Sequence, residues 1–245
     1  MDEQQLPVWL GTAGWSLPRA LWPRFPEAGT HLQRYAGCLN AVEINSSFYR
    51  AHRPATYTRW ADSVPAGFRF SVKVPRQITH ERRLAACEAL LDTFLNECGH
   101  LGEKLGCLLV QLPPSLAYEP DVARRFIDTL RARHSGPVAI EPRHTSWLAA
   151  DSLLHDAQIA RVGADPAPFT GAAEPGGWPG MRYYRLHGSP RIYHSPYGAD
   201  WLAALATRLV DETAVPSWCI FDNTASGAAT ADALALGRLL VQRPD

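Results

Sequence analysis

The sequence predicts an α/β protein of the TIM (β/α)8 barrel type, on three observations. Eight short apolar or β-branched runs recur along it, beginning near Val8, Ala41, Phe68, Leu105, Val138, Ile159, Met181 and Trp218. Their average interval is about 30 residues, the length of one strand, one helix and two loops. Eight such units in 245 residues match that fold in number and size. One domain spanning residues 1–245 is therefore expected.

Taken in order, the first run is followed by residues 13–30, rich in Trp and Pro, which read as a long loop. Leu84 to Leu101 carries Leu84, Leu90, Leu91, Phe94 and Leu95 at helical spacing and ends near Gly99 and Gly102. Val122 to Leu130 follows Pro120-Asp121 and reads as a helix through Val122, Phe126, Ile127 and Leu130. Residues 165–180 are too broken by Gly and Pro for a helix, so the sixth unit is expected to be irregular. Ala199 to Val210 and Ala228 to Val241 are apolar on one face and supply the last two helices.

Composition narrows the class. Hydrophobic residues make 46% and charged residues 20%, which excludes disordered, collagen-like and coiled-coil chains. No apolar run approaches the ~20 residues that span a bilayer. Met1 to Gln5 is acidic and polar, unlike a secretory signal, so a cytoplasmic location is expected. Five cysteines, with no C-x-x-C, fit reduced thiols. The charges balance at 24 against 24, which argues against a basic coat for nucleic acid. A local basic cleft is still compatible with that balance. Only Lys73 and Lys104 are lysines, and the other 22 cations are arginines.

In barrels of this type the active site is built at the C-terminal ends of the strands. Seven of the eight runs end in a residue that can ionise or hydrogen-bond. Alternation with period two puts Glu43 and Asn45 on one face, pairs Glu141 with Arg143, and pairs Arg185 with His187. Burying so many polar groups costs a few kcal/mol each unless they are satisfied, so a pocket is expected there. Glu43, Glu141 and His187 are the candidate catalytic groups. Asn45, Lys73, Gln111, Arg143, Arg185 and Asn223 are candidate substrate contacts, and Trp15 and Trp147 are candidate stacking surfaces. Two glutamates suit acid–base work. Carboxylates with one His suit a hard divalent metal, one candidate cofactor. Two arginines and a lysine suit a phosphate or carboxylate. No H-E-x-x-H, G-x-S-x-G, P-loop or dinucleotide fingerprint chooses among these.

The motifs also resemble a known family. They run Gly11-Thr12-Ala13-Gly14-Trp15, Val42-Glu43-Ile44-Asn45-Ser46-Ser47-Phe48-Tyr49, Phe70-Ser71-Val72-Lys73 with Thr79-His80, and Leu109-Val110-Gln111-Leu112-Pro113-Pro114-Ser115. Glu141-Pro142-Arg143-His144 with Ser146-Trp147, Arg185-Leu186-His187-Gly188 and Phe221-Asp222-Asn223 complete the set. In this order they resemble domain of unknown function 72, whose members are also called YecE-like. The chain departs from that pattern at Pro142, where an aromatic is usual, and at Asp222, where Asn is frequent. The resemblance implies a TIM barrel, similar in outline to endonuclease-type and sugar-isomerase-type metal enzymes, and supplies no reaction.

The reading that follows is an enzyme of hydrolase or lyase type acting on a small anionic or phosphorylated ligand. Lys73, Arg143 and Arg185 would hold the anion, Glu141 or Glu43 would be the base, and His187 the acid or a metal ligand. The alternative is a non-catalytic module binding nucleic acid or a metabolite. A purely structural ring of ion pairs is the third option.

Overall fold

The apolar runs become strands and the one-faced segments between them become helices. The computed structural model describes residues 8–211 and 215–241; the acidic Met1 to Gln5 stretch lies outside them. The order is β1 (Val8–Thr12), α1 (His31–Ala36), β2 (Ala41–Ile44), α2 (Pro54–Asp62), β3 (Arg69–Lys73), α3 (Glu88–Cys98), β4 (Leu105–Gln111) and α4 (Pro120–Arg131). There follow β5 (Val138–Glu141), α5 (Asp151–Asp156), β6 (Ile159–Arg161), β7 (Gly163–Asp165), β8 (Gly176–Gly177), β9 (Arg182–Leu186), α6 (Ala199–Asp211), β10 (Ser217–Phe221) and α7 (Ala228–Val241).

The ladders form two sheets, one ordered β1-β10-β9-β7 and the other β2-β3-β4-β5-β6-β8. All pairings are parallel except that of β8, whose two glycines run antiparallel to β6. Two features of the sixth run escape a simple count of apolar stretches. Its strand is parted at Val162 into β6 and β7, which pair in different sheets. The Gly- and Pro-rich segment after it holds β8 and no helix.

The two sheets meet at two places. At one, Ala13 bridges Glu43 in parallel, and the Gly14 amide donates to the Glu43 carbonyl at 2.8 Å. Side chains reinforce this seam. Asn40 accepts from the Leu10 amide at 2.8 Å and donates to the Val8 carbonyl at 2.9 Å. The buried Tyr35 hydroxyl accepts from the Thr12 amide at 2.8 Å and donates to the Ala41 carbonyl at 2.9 Å. Gly11 permits the approach, because a Cβ there would lie 2.0 Å from the Ala41 oxygen. At the other place the chain itself passes from β6 to β7, with the Val162 amide donating to the Ile140 carbonyl at 2.8 Å.

Strand alternation divides the apolar residues into two clusters. Val42, Ile44, Phe70, Val72, Leu108, Val110, Tyr184 and Phe221 face the helices and join Phe94, Phe126, Leu205 and Ala233. Their neighbours of opposite parity, among them Ala41, Cys107, Leu109, Ala139, Ala160, Tyr183, Trp218 and Ile220, form a second, smaller cluster. The polar residues described below share the parity of this second cluster.

Some helix boundaries differ from the sequence expectation. The helix expected from Leu84 begins at Glu88, because Arg83, Leu84 and Ala86 take left-handed backbone angles of 51°, 71° and 48°. Residues 13–30 are an extended loop broken by a 3-10 turn at Arg19–Arg24. α1 starts at a reciprocal capping box between Thr30 and Gln33. No helix among the described residues is long and apolar enough to cross a membrane.

Among the described residues, the Tyr35 hydroxyl is the one side-chain group that satisfies both β1 and β2 backbones inside the seam. Tyr35→Phe leaves a buried amide and a buried carbonyl without that partner. A loss of about 1–3 kcal/mol is expected, read from urea unfolding as a lower midpoint with unchanged slope.

Candidate functional site

The strand residues of inner parity end in ionisable groups that gather around one guanidinium. Arg185 lies on β9, wholly buried. Its Nε and Nη2 donate to Oε2 and Oε1 of Glu43, on β2, at 2.9 and 2.8 Å. Its Nη1 donates to Glu141 Oε2, at the end of β5, at 2.7 Å. Nη2 also reaches Asp222 Oδ2, just beyond β10, at 3.1 Å. The bidentate fork to Glu43 is the geometry that guanidinium and carboxylate planes favour. The Tyr183 hydroxyl lies below it, 2.8 Å from Ser71 Oγ and 3.3 Å from Glu43 Oε2.

His187 continues the same face of the chain beyond β9. Its Nδ1 is 3.0 Å from Asp222 Oδ2 and its Nε2 is 2.9 Å from Glu141 Oε1. Register explains the meeting with Asp222, since Leu186 pairs with Phe221 and the next residues leave both strands side by side. Gly188 then turns the chain at φ 88°, where a Cβ would strike the Ser195 carbonyl at 2.5 Å. Pro142 ends β5 by removing a ladder donor, and Arg143 folds back so that Nη2 donates to Glu141 Oε1 at 2.9 Å.

These contacts set the electrostatics. Burial alone would raise the Glu141 carboxyl, but Arg185, Arg143 and His187 hold it well below the usual carboxylate range. Asp222 is lowered for the same reasons, burial opposing and Arg185 and His187 prevailing. Burial would weaken the Arg185 cation, yet Glu43, Glu141 and Asp222 hold its charge more firmly than in water.

Lys73 differs from its neighbours. It ends β3 with 6% exposure, and among the described residues its ammonium has no ion-pair or hydrogen-bond partner. It sits 4.2 Å from the ring centre of Phe48. Asn45 leaves the strand in helical conformation, and the 3-10 turn Ser46–Phe48 brings that ring into place. Ser47 Oγ fixes the turn by donating to the Ile44 and Lys73 carbonyls at 2.8 and 2.6 Å. Burial, then the nearby Arg185 charge, push the Lys73 amine down to about 8, despite the opposing carboxylates.

The expected residues thus divide. Glu43, Glu141, Arg143, Arg185 and His187 are brought into direct contact. Lys73 lies within electrostatic reach of Arg185 and the carboxylates. Gln111 ends β4 beside Glu141 in register. Asn45 shares the parity of Glu43 but has left the strand, and its Oδ1 is buried without a partner.

Three expectations of ligand contact meet a different use. Every nitrogen of Arg185 is occupied by carboxylates and the side chain is sealed, so it organises the site instead of offering a free fork. Asn223 Nδ2 donates to Asp232 on α7 at 2.7 Å and to the Ser195 carbonyl at 2.9 Å, turning the side chain to the loop and helix. Trp147 is 1% exposed, with its Nε1 donating to the Leu116 carbonyl at 2.9 Å. It packs against Tyr118, whose amide donates to Ser146 Oγ, so this motif ties two loops together. Trp15 is half-buried and set edge-on to Trp60 at 5.0 Å.

Asp222, expected as a strand-end carboxylate, and Phe48 and Tyr193, expected among the loop aromatics, join the cluster although none was expected to be catalytic or to bind substrate. Tyr193 has a left-handed backbone, φ 68°, and sets its ring edge-on to His187 at 5.7 Å. Its position in a turn gives no periodic signal. The carboxylates close around a guanidinium, and among the described residues no group of three His, Cys, Asp or Glu side chains is spaced to hold a metal ion.

The sequence profile described as "Protein of unknown function DUF72" matches residues 9–245. UPF0759 protein YecE of Escherichia coli K12 is 29% identical over 173 residues, which cover 67% of this chain and 61% of that protein. UPF0759 protein YunF of Bacillus subtilis 168 is 27% identical over 153 residues, covering 58% and 52%. The chain thus spans less than two thirds of these relatives' length. Among solved structures, a DUF72 family protein of Enterococcus faecalis superposes with a TM-score of 0.80 at 22% identity, over 98% of this chain and 97% of that one. One from Thermotoga maritima gives 0.76 at 22% identity, over 96% and 99%. At such identity the likeness concerns the fold alone.

Replacing Arg185 by Met strands three buried carboxylates. A loss of about 3–5 kcal/mol at neutral pH is expected. In the parent, Glu141 and Asp222 are lowered on folding, so their stabilisation is complete above the unfolded carboxyl values near 4 and fades as pH falls through the folded values. In Arg185→Met burial is unopposed by that cation. The variant's carboxyls should therefore protonate at higher pH than the parent's, so the deficit should shrink as pH falls from about 7 toward about 4 and further below it, and an equal deficit at pH 7 and pH 4 in chemical unfolding would refute the cage.

Proposed function

The chain belongs to the DUF72 family of proteins of unknown function, and from that premise we propose an enzyme of hydrolase or lyase type for a small anionic substrate. The substrate, bearing a phosphate or carboxylate, lies at the C-terminal ends of the strands. We read the two sheets as one TIM barrel opened at two seams. The eightfold run count, the parallel order and the second apolar cluster as its interior support that reading.

The observation that carries the function is an imbalance of partners. The acids and Arg185 satisfy one another, while Arg143 Nε, Asn45 Oδ1 and Asn223 Oδ1 are buried without partners and the Lys73 ammonium, on a 6% exposed residue, makes no hydrogen bond or ion pair among the described residues. Buried polar groups are ordinarily paired. One unpaired ammonium, the unused Nε of a guanidinium otherwise bound to Glu141, and an amide oxygen suit an anion with an adjoining hydroxyl. Glu141 orients His187 and Arg143, the pair that this reading turns toward the ligand. Glu43 and Asp222 hold Arg185 in place.

The surroundings favour the same ligand. The loops that follow the strands expose Arg19, Arg24, Arg50, Arg53, Arg76, Arg82, Arg83 and Arg191, with Glu27, Glu81, Glu119 and Glu174 as their acidic counterweight. A rim of this sign raises the local concentration of anions although the whole chain is neutral. A cleft of about 360 Å³ shares Phe48 with the cluster; Arg50 and Arg76 line it together with Glu81 and Glu97, and Lys73 and Arg143 do not. The same rim with Tyr49, 71% exposed, favours single-stranded nucleic acid as a second reading. A steep salt dependence of RNA or DNA binding would select it.

Inorganic phosphate should raise the melting temperature of the parent by binding the folded state. Lys73→Met and Arg143→Met should each weaken its apparent affinity roughly 10- to 150-fold, the loss of a charged hydrogen bond of about 1.5–3 kcal/mol. Exposed Arg125→Ala serves as the control. A phosphate effect indifferent to Lys73 and Arg143 would sink the assignment.

A further inference from the structure

We propose that Lys73 is a covalent nucleophile that forms an imine with a carbonyl substrate, Arg143 gripping the substrate's carboxylate or phosphate. This rests on the anionic-ligand reading above and names the substrate class: a 2-oxo acid or a phosphorylated aldehyde or ketone.

Four observations carry it. The amine is buried at a strand end with an aromatic ring on one side and no carboxylate salt-bridged to it. The three acids that would have neutralised it are taken by Arg185, His187 and Arg143. A desolvated lysine beside another cation is the arrangement that activates an amine for attack on carbonyl carbon. The Lys73 amine is pushed down to about 8, so a useful fraction is neutral near physiological pH.

The composition points the same way. Of 24 cationic residues 22 are arginine, and Lys104 is accounted for by bonds to the Ala61 and Val64 carbonyls. A site that needed only positive charge at residue 73 would be served by the residue this chain uses everywhere else. Arginine cannot supply a neutral amine.

Arg143 is suitably placed. It donates to Glu141 Oε1, the carboxylate whose other oxygen takes Arg185, and Lys73 feels the charges of both Arg185 and Glu141, so the two side chains border one ion cluster. In the step itself the neutral Nζ lone pair attacks the carbonyl carbon. The C=O π pair moves to oxygen, which takes a proton to give the carbinolamine. That oxygen then leaves as water, carrying the two hydrogens lost from nitrogen, and a C=N bond replaces C=O. The imine nitrogen accepts one proton from solvent to become the electron sink of a lyase.

The full-length protein is incubated with pyruvate or glyceraldehyde 3-phosphate, treated with borohydride, and analysed by intact mass and peptide mapping. The expected result is a reduction-dependent adduct on the Lys73 peptide, equal to the carbonyl compound less one oxygen. The two probes distinguish a carboxylate from a phosphate handle. Lys73→Arg should lose the adduct entirely while keeping phosphate-dependent stabilisation, and Arg143→Met should lower its yield. Phosphate stabilisation with no Lys73 adduct from either probe would overturn the imine and leave the anion reading standing. Absence of both overturns the two together. Equal trapping of neutral acetone overturns the anionic substrate class.

Discussion

The guanidinium of Arg185 binds carboxylates that come from both sheets. Arg185 and Asp222 belong to the sheet of β9 and β10, and Glu43 and Glu141 to that of β2 and β5. The ladders stop at the two seams, but this ion cluster does not. Four strand ends are therefore held at fixed separation by one side chain. The position of His187, and through it Tyr193, follows from where Glu141 and Asp222 are held.

Such a cluster is a poor device for stability alone. Each buried ion loses several kcal/mol of hydration, and well-packed apolar residues frequently do as well or better. What the cluster does achieve is orientation. Glu141 presents one oxygen to Arg185 and the other to His187 and Arg143, so its rotamer is fully determined. Beneath it Tyr183, Leu109, Ala139 and Ile220 form a water-excluding floor, which keeps the interactions strong. The arrangement has the rigid supporting groups that preorganised sites require.

Much of this was legible in the sequence because strands obey a period of two. The run positions anticipated the strands, and parity correctly separated Glu43 from Val42 and Ile44 and joined Arg185 to His187. Less legible was anything set by tertiary partners. A sequence shows that Arg185 is a cation near a strand end, not that three acids engage all three of its nitrogens. It likewise shows Trp147 as an aromatic near the site, while the burial of its ring and the bond to the Leu116 carbonyl depend on a loop 31 residues away. The split at Val162 was hidden because residues 159–165 carry no turn signal, only Arg161 among small and apolar residues before Asp165. The late start of α3 was hidden because left-handed angles at Arg83, Leu84 and Ala86 have no glycine to announce them.

The zero net charge takes on meaning from this geometry. Inside the cluster three acids, Glu43, Glu141 and Asp222, face three basic side chains, Lys73, Arg143 and Arg185, yet the hydrogen bonds are shared unequally. Arg185 takes contacts from all three acids and Lys73 takes none. Charge neutrality is thus satisfied for the group as a whole without being satisfied at Lys73. A buried cation in that position gains stabilisation either by losing its proton or by acquiring an anion. Both outcomes are chemical properties of a site, and neither is needed merely to close a sheet.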